Sequence, residues 1–240
     1  MIDYAPVGLI GKHPAYGDFL SAGLSDTVSD GLAGWLDQTL SELRDHMGND
    51  WAAFWDGAQD LRFWIGRAMF GATLAGVLRP SRDRVGRRYP FLLLAEGVDL
   101  PAPVVEPDQG LWTRLETCLQ QMEPGEGARA LLTGIALDLP AETAAQRAAG
   151  PTIWAHHPEG DLSALLRSAG PVAAERAETA RSHFWAPGRP GRAAIWLSDN
   201  GLPSAGAFGW ALAGTAQQAA TAPQDASQPA ATVAEGEAPA

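Results

Sequence analysis

The sequence predicts an α+β fold, an α/β sandwich built on a mixed, largely antiparallel sheet. Three observations predict it. Strand-like runs at Leu61–Ile65, Thr73–Leu78 and Tyr89–Ala95 follow one another with no helix between them, which suits antiparallel neighbours. Long amphipathic stretches stand on either side of this block. The order of elements lacks the regular strand–helix beat of a parallel sheet.

Taken in order, Val7-Gly8-Leu9-Ile10-Gly11 is short and apolar and is followed by Pro14, as expected of a first strand. Thr27 to Met47 reads as a helix because Val28, Leu32, Trp35, Leu36, Leu40, Leu43 and Met47 recur every three or four residues. Thr27 and Asp30 resemble a capping box, and Gly48 is a natural stop. Pro107 to Met122 reads as a second amphipathic helix, with Pro107 at its first position and Leu111, Leu115, Cys118, Leu119 and Met122 on one face. Short helices are expected at Ala128–Leu137 and Leu162–Arg167, and strands at Thr152–Trp154 and His183–Trp185. Ala193 to Leu197 reads as a strand closed by the turn signal Ser198-Asp199-Asn200-Gly201, and Pro203 to Leu212 as a last helix. No repeat of 20–50 residues is visible.

Beyond Gly214 the composition changes. Residues 215–240 are mostly Ala, Gln, Pro, Thr, Asp and Glu, with Val233 the only large apolar residue and no aromatic or basic side chain. Such a segment buries too little surface to offset its ordering entropy, so a disordered acidic tail is expected after a single folded domain over residues 1–214.

The 240 residues carry 28 Asp and Glu against 17 Lys and Arg, a net charge of −11. That balance opposes general nucleic-acid binding and attraction to an anionic membrane surface. A single cysteine, Cys118, allows no internal disulfide, and no apolar run is long enough to span a bilayer. The N-terminus lacks the basic and apolar regions of a signal peptide, so a cytoplasmic protein is expected.

The charge is uneven. All basic residues are Arg except Lys12, and Arg79, Arg82, Arg84, Arg87 and Arg88 fall within ten positions. With Asp83, this knot holds +4 and leaves −15 elsewhere. Three readings stand: a solvated loop, a structural cluster in which Arg pairs with carboxylates, or a site for an anion or acidic partner. Lys12 and Asp18 in the first loop are charged beside Gly and Pro, so the first loop and the knot are candidates to pair with each other.

Other constellations carry less chemistry. Gly8-Leu9-Ile10-Gly11-Lys12-His13 has the wrong spacing for a phosphate loop, and Pro14 removes a backbone donor. Cys118 on an apolar helix face reads as an inert packing group. His156 and His157 lack the companions of a metal site, so no metal and no cofactor are expected. Of the nine Trp, Trp35, Trp64, Trp112, Trp154, Trp185 and Trp196 read as core, and Trp51 with Trp55 as core or interface.

Two stretches together resemble one family. Gly11-Lys12-His13-Pro14-Ala15-Tyr16-Gly17-Asp18-Phe19 is similar to its Gly-Lys-x-Pro-x-x-Gly-Asp-Phe signature. Pro80-Ser81-Arg82-Asp83-Arg84-Val85-Gly86-Arg87-Arg88-Tyr89-Pro90 resembles its second, Pro-Ser-x-Asp-x-x-Gly-Arg-x-aromatic-Pro, after a strand. The family is TagF, also called ImpM, of the bacterial type VI secretion system. The resemblance runs from about Val7 to Leu212, loosely over Pro101–Gly150. It implies an α/β/α sandwich and a cytoplasmic post-translational regulator, negative in direction, rather than an enzyme. It implies as partners a cytoplasmic secretion component, one described route being a component with a forkhead-associated domain, and a protein phosphatase, which here would be a separate chain. It carries over no catalytic residue. The candidate partner-binding positions are therefore Lys12, Pro14, Tyr16, Gly17, Asp18, Phe19, Arg79, Ser81, Asp83, Gly86, Arg87 and Arg88. Gly11 and Gly17 are expected to need φ > 0 or close backbone approach, Ser81 and Asp83 to form turns, and Arg87 and Arg88 to point to opposite faces of a strand. The alternatives are an enzyme acting on a phosphorylated or anionic substrate at Arg79–Arg88, and a structural scaffold subunit.

Overall fold

Backbone hydrogen bonding and burial were followed in a computed structural model, which describes residues 3–148, 155, 156, 158 and 162–215. In chain order the elements are β1 (Val7–Gly11), β2 (Leu20–Ala22), α1 (Asp26–Met47), α2 (Trp51–Gly57), β3 (Leu61–Ile65), β4 (Leu74–Arg82), β5 (Arg88–Glu96), α3 (Gly110–Gln121), α4 (Ala144–Ala148), α5 (Leu162–Glu178), β6 (Arg181–Ala186), β7 (Ile195–Asn200) and α6 (Ala205–Ala213). The strands form one sheet in the order β2-β1-β5-β4-β3-β6-β7. The largely antiparallel sheet that was expected is found, and among the described residues every pairing of these strands is antiparallel.

Side chains alternate across the pleat, and both faces are apolar. Leu61, Phe63 and Ile65 of β3 join Leu74, Leu78, Leu92, Leu94 and Phe184 on one face. The core there is completed by Val28, Leu32, Leu36, Leu40 and Leu43 of α1 and by Phe208, Ala211 and Leu212 of α6. Trp64, Ala75, Val77, Phe91, Leu93 and Trp185 form the other face, under Leu111, Trp112, Leu115 and Leu119 of α3. The result is the expected three-layer α/β/α sandwich.

Several boundaries move for local reasons. Helix α1 is capped by Ser25, whose side chain accepts from the Val28 N–H at 3.4 Å, so Thr27 and Asp30 lie inside the helix rather than forming its cap. Helix α3 begins at Gly110, not Pro107, after an Asp108 Oδ1 that accepts the Gly110 N–H at 3.1 Å. A buried Arg62 on β3 fastens α3 through Glu116 at 2.7 and 2.8 Å and Gln109 at 2.9 Å. The segment expected as a helix over Ala128–Leu137 is a 3-10 turn over Ala128–Leu132 only. Helix α5 runs 17 residues, well past the predicted Leu162–Arg167, and buries none of them. Its lack of an inward apolar stripe, together with Pro171, concealed it. Trp196, expected in the core, stands 53% exposed on the edge strand β7. The predicted strand Thr152–Trp154, His157 and the tail from 216 onward lie outside the described residues. No helix among the described residues is long and apolar enough to cross a membrane.

Candidate functional site

The strand that should end at Leu78 continues to Arg82, because the β4–β5 hairpin projects beyond its neighbours. Strand β3 pairs with β4 only as far as Leu78, and β1 with β5 only to Phe91. Beyond these positions Pro80 sits opposite Pro90, where a missing N–H costs no ladder bond to a third strand. Ser81 is thus a strand residue opposite Tyr89 and not the turn former expected. The turn itself is Asp83-Arg84-Val85-Gly86. The Gly86 N–H donates to the Asp83 carbonyl at 3.0 Å, the Asp83 N–H to the Arg87 carbonyl at 3.1 Å, and Gly86 takes φ +88°. A tight turn that ends on a left-handed glycine matches the twist of the strands it joins. Arg87 is therefore in the turn, and only Arg88 enters β5, so the two do not alternate across the sheet.

Asp83 is the hub of this turn. Its side chain is fully buried and accepts from the Val85 N–H (3.1 Å), the Arg87 N–H (2.8 Å) and Arg87 Nε (2.6 Å), with Lys12 Nζ at 3.3 Å. Burial pushes the carboxyl up, but the Arg87 backbone N–H, the Arg87 guanidinium and the Lys12 ammonium outweigh it. They hold Asp83 well below the usual carboxylate range.

Lys12 comes from the first signature, so the two signatures meet here. Arg87 Nη2 donates to the Gly17 carbonyl, and the Arg84 N–H to the Tyr16 carbonyl at 2.8 Å. The Lys12 N–H reaches the Pro90 carbonyl at 3.1 Å. Gly11 takes φ +123°, and a Cβ there would lie 2.0 Å from the Pro90 carbonyl oxygen, so close backbone approach does require this glycine. Gly17 is not in the left-handed region. A Cβ on it would stand 3.4 Å from the Arg84 guanidinium. Tyr16 exchanges two hydrogen bonds of 2.9 Å with the Gly125 backbone, tying the loop to the segment after α3. Phe19 is 42% exposed and meets Tyr89 edge-on at 5.4 Å. Asp18 is exposed and pairs with no other described residue.

The remaining arginines reach carboxylates that the sequence reading missed. Asp56 on α2 receives Arg88 through Nε at 3.1 Å and Nη2 at 3.0 Å, and also Arg82. The Arg88 hydrogen bond comes first among the causes that lower Asp56, and Arg88 is raised in turn. Arg79 holds Asp60 at 3.0 Å. Trp55, on the same helix as Asp56, donates its indole N–H to the Ser81 carbonyl at 2.9 Å. Trp51 and Trp55 are buried, which decides for the core reading of that pair. Beside this network lies a cleft of about 570 Å³ lined by His13, Pro14, Trp55, Asp56, Arg79 and Arg82, among others. His13 meets Tyr16 and Phe91 edge-on, and burial lowers its pKa.

The cluster reading of the knot thus accounts for Lys12, Arg79, Arg82, Arg87 and Arg88. The signal that could have found Asp56 and Asp60 is their position at the end of the Trp-rich segment, two acids awaiting cations. Nothing in their local sequence names the arginines concerned.

Three comparisons bear on what this unit belongs to. The TagF N-terminal domain, described as type VI secretion system-associated, matches residues 8–136, more than half of the chain and both signatures. Among solved structures, the crystal structure of PA0076 from Pseudomonas aeruginosa PAO1 is similar, with 26% identity and a TM-score of 0.63 over 92% of this chain and 100% of that one. No curated protein matches the chain.

Proposed function

The chain belongs to the TagF family of type VI secretion-associated proteins, and from that premise we propose that it is a cytoplasmic, post-translational negative regulator of the secretion machine that acts by binding a protein partner rather than by catalysis. One observation carries this reading: signatures about 70 residues apart in sequence fold into a single surface unit around Asp83. Such a unit presents loop side chains from a fixed frame, the arrangement expected of a recognition surface. The partner, in keeping with the resemblance, is a cytoplasmic secretion component, one with a forkhead-associated domain being the first to test. A separate phosphatase is a second candidate.

Deleting the gene should raise secretion and overexpressing it should lower it. No change in either direction contradicts the proposal.

The cleft beside Arg79 and Arg82 favours a second reading, an enzyme for an anionic substrate. Against it, Asp56 and Asp60 already occupy the Arg79, Arg82 and Arg88 guanidinium groups. Hydrolysis of p-nitrophenyl phosphate by the purified chain, abolished by Arg82→Ala, would favour the enzyme. A scaffold subunit would instead co-purify with the assembled machine in fixed stoichiometry.

A further inference from the structure

The signature unit gathers six cations against the three carboxylates Asp56, Asp60 and Asp83, so it stays net positive although five are paired: Lys12 and Arg87 with Asp83, Arg82 and Arg88 with Asp56, Arg79 with Asp60. The sixth, Arg84, has no ion pair with any described residue. Its backbone is nonetheless fixed. Its own N–H is bound to the Tyr16 carbonyl, and the turn on which it rides is closed by Asp83. The guanidinium lies beside Gly17, where an added Cβ would stand in ordinary contact with it at 3.4 Å. Next to it in the turn, Val85 is 68% exposed. A turn tip that holds an unpaired Arg on a fixed backbone beside an exposed apolar side chain offers a residue type enriched in binding hot spots. An Arg fork is matched geometrically by a carboxylate.

We propose that this tip is the docking surface for an acidic segment of another protein, in which a carboxylate takes the Arg84 fork and an adjacent apolar side chain covers Val85. The inference rests on the binding role proposed above and names the contact. Charge complementarity selects the occupant. The knot is the positive end of a chain whose remainder carries −15, so an acidic segment is attracted here and repelled elsewhere. A second copy is disfavoured, because two chains of −11 repel each other as whole bodies.

The test places a photo-crosslinking amino acid at Val85 in the full chain, expressed in its own host, with the same probe at the exposed Trp210 of α6 as control. The linked peptide is read by mass spectrometry. The expected result is a link from Val85, above the Trp210 control, to a peptide of another protein that carries Asp or Glu at or beside the linked residue. Its yield should fall about tenfold with Arg84→Glu and be largely kept with Arg84→Lys. A link to this chain's own sequence, a phosphorylated side chain at the link, no link above control, or a yield unchanged by Arg84→Glu would each overturn the proposal. Secretion is scored in the same strains. If deletion still raises secretion while the link fails, only the docking surface is refuted. If deletion leaves secretion unchanged, the regulatory role is refuted instead.

Discussion

Asp83 shows how one residue organises the candidate surface. Its depressed pKa means that the carboxylate's contribution to stability is fully present above its unfolded pKa of about 4 and is lost as pH falls through its lower folded value. Asp83→Asn should therefore lower the melting temperature at pH 7, by an amount that stays constant down to about pH 4 and shrinks below it. Amide exchange at Val85 and Arg87, whose N–H groups Asp83 accepts, should speed up in the same variant. Exchange unchanged at both positions would mean that the turn holds without the carboxylate. Asp83 was legible in the sequence as a turn former inside a conspicuous charge run. Its role as hub was not, because Lys12 lies some seventy positions away and no local pattern records that pairing. Trp55 is a similar case. Its aromatic segment is plain to read, while its bond to the Ser81 carbonyl depends on how α2 docks. Trp55→Phe removes that bond and empties part of the space the buried indole fills, so it should cost about 1–3 kcal/mol in denaturant unfolding.

Elements with a strong apolar period could be read directly, and those held by polar ties could not. Helix α1 follows the spacing of Leu32, Leu36, Leu40 and Leu43, all buried against the sheet. Leu36→Ala should cost about 2–5 kcal/mol, measured by urea unfolding. Helix α5 has no such stripe. Its C-terminal end is fixed by polar groups, Glu178 to His183 and the Thr179 carbonyl to the Ala68 N–H at 3.0 Å, and a periodicity reading stops at Arg167. Strand β4 was cut short for another reason. Pro80 argues against a sheet interior, and only the projection of the hairpin past β3 and β1 makes it acceptable. The dependence of α3 on Arg62 is testable in the same way. Glu116→Ala leaves a buried guanidinium without its carboxylate and should cost about 3 kcal/mol, read by thermal unfolding. A near-neutral result would show that Gln109 and Thr113, whose hydroxyl accepts from Arg62 Nη2 at 3.3 Å, suffice.

At the scale of the whole molecule, the acidic total conceals a basic end. Where sequence reasoning left three meanings for the knot, the fold divides them among different residues. Arg79, Arg82, Arg87 and Arg88 are held by carboxylates, and Arg84 with Val85 and Phe19 faces outward. The other face of the sheet adds a pH response. Burial lowers the pKa of His183, Glu178 opposes that shift, and Arg181 adds to it. The neutral ring therefore favours folding above its unfolded value near 6.5, and stability should decline as pH falls through that range. His183→Gln should flatten the dependence of melting temperature on pH between about 7.5 and 5.

The central claim is that this TagF-family chain restrains secretion through its signature unit, and export of a secreted substrate of the machine tests it most directly. A deletion strain would be complemented with the native chain or with Arg84→Glu combined with Phe19→Ala, both produced at equal level and with equal melting temperature. The account predicts that the native chain restores low export and that the double variant leaves export as high as the deletion. Repression by the double variant equal to that of the native chain would contradict it.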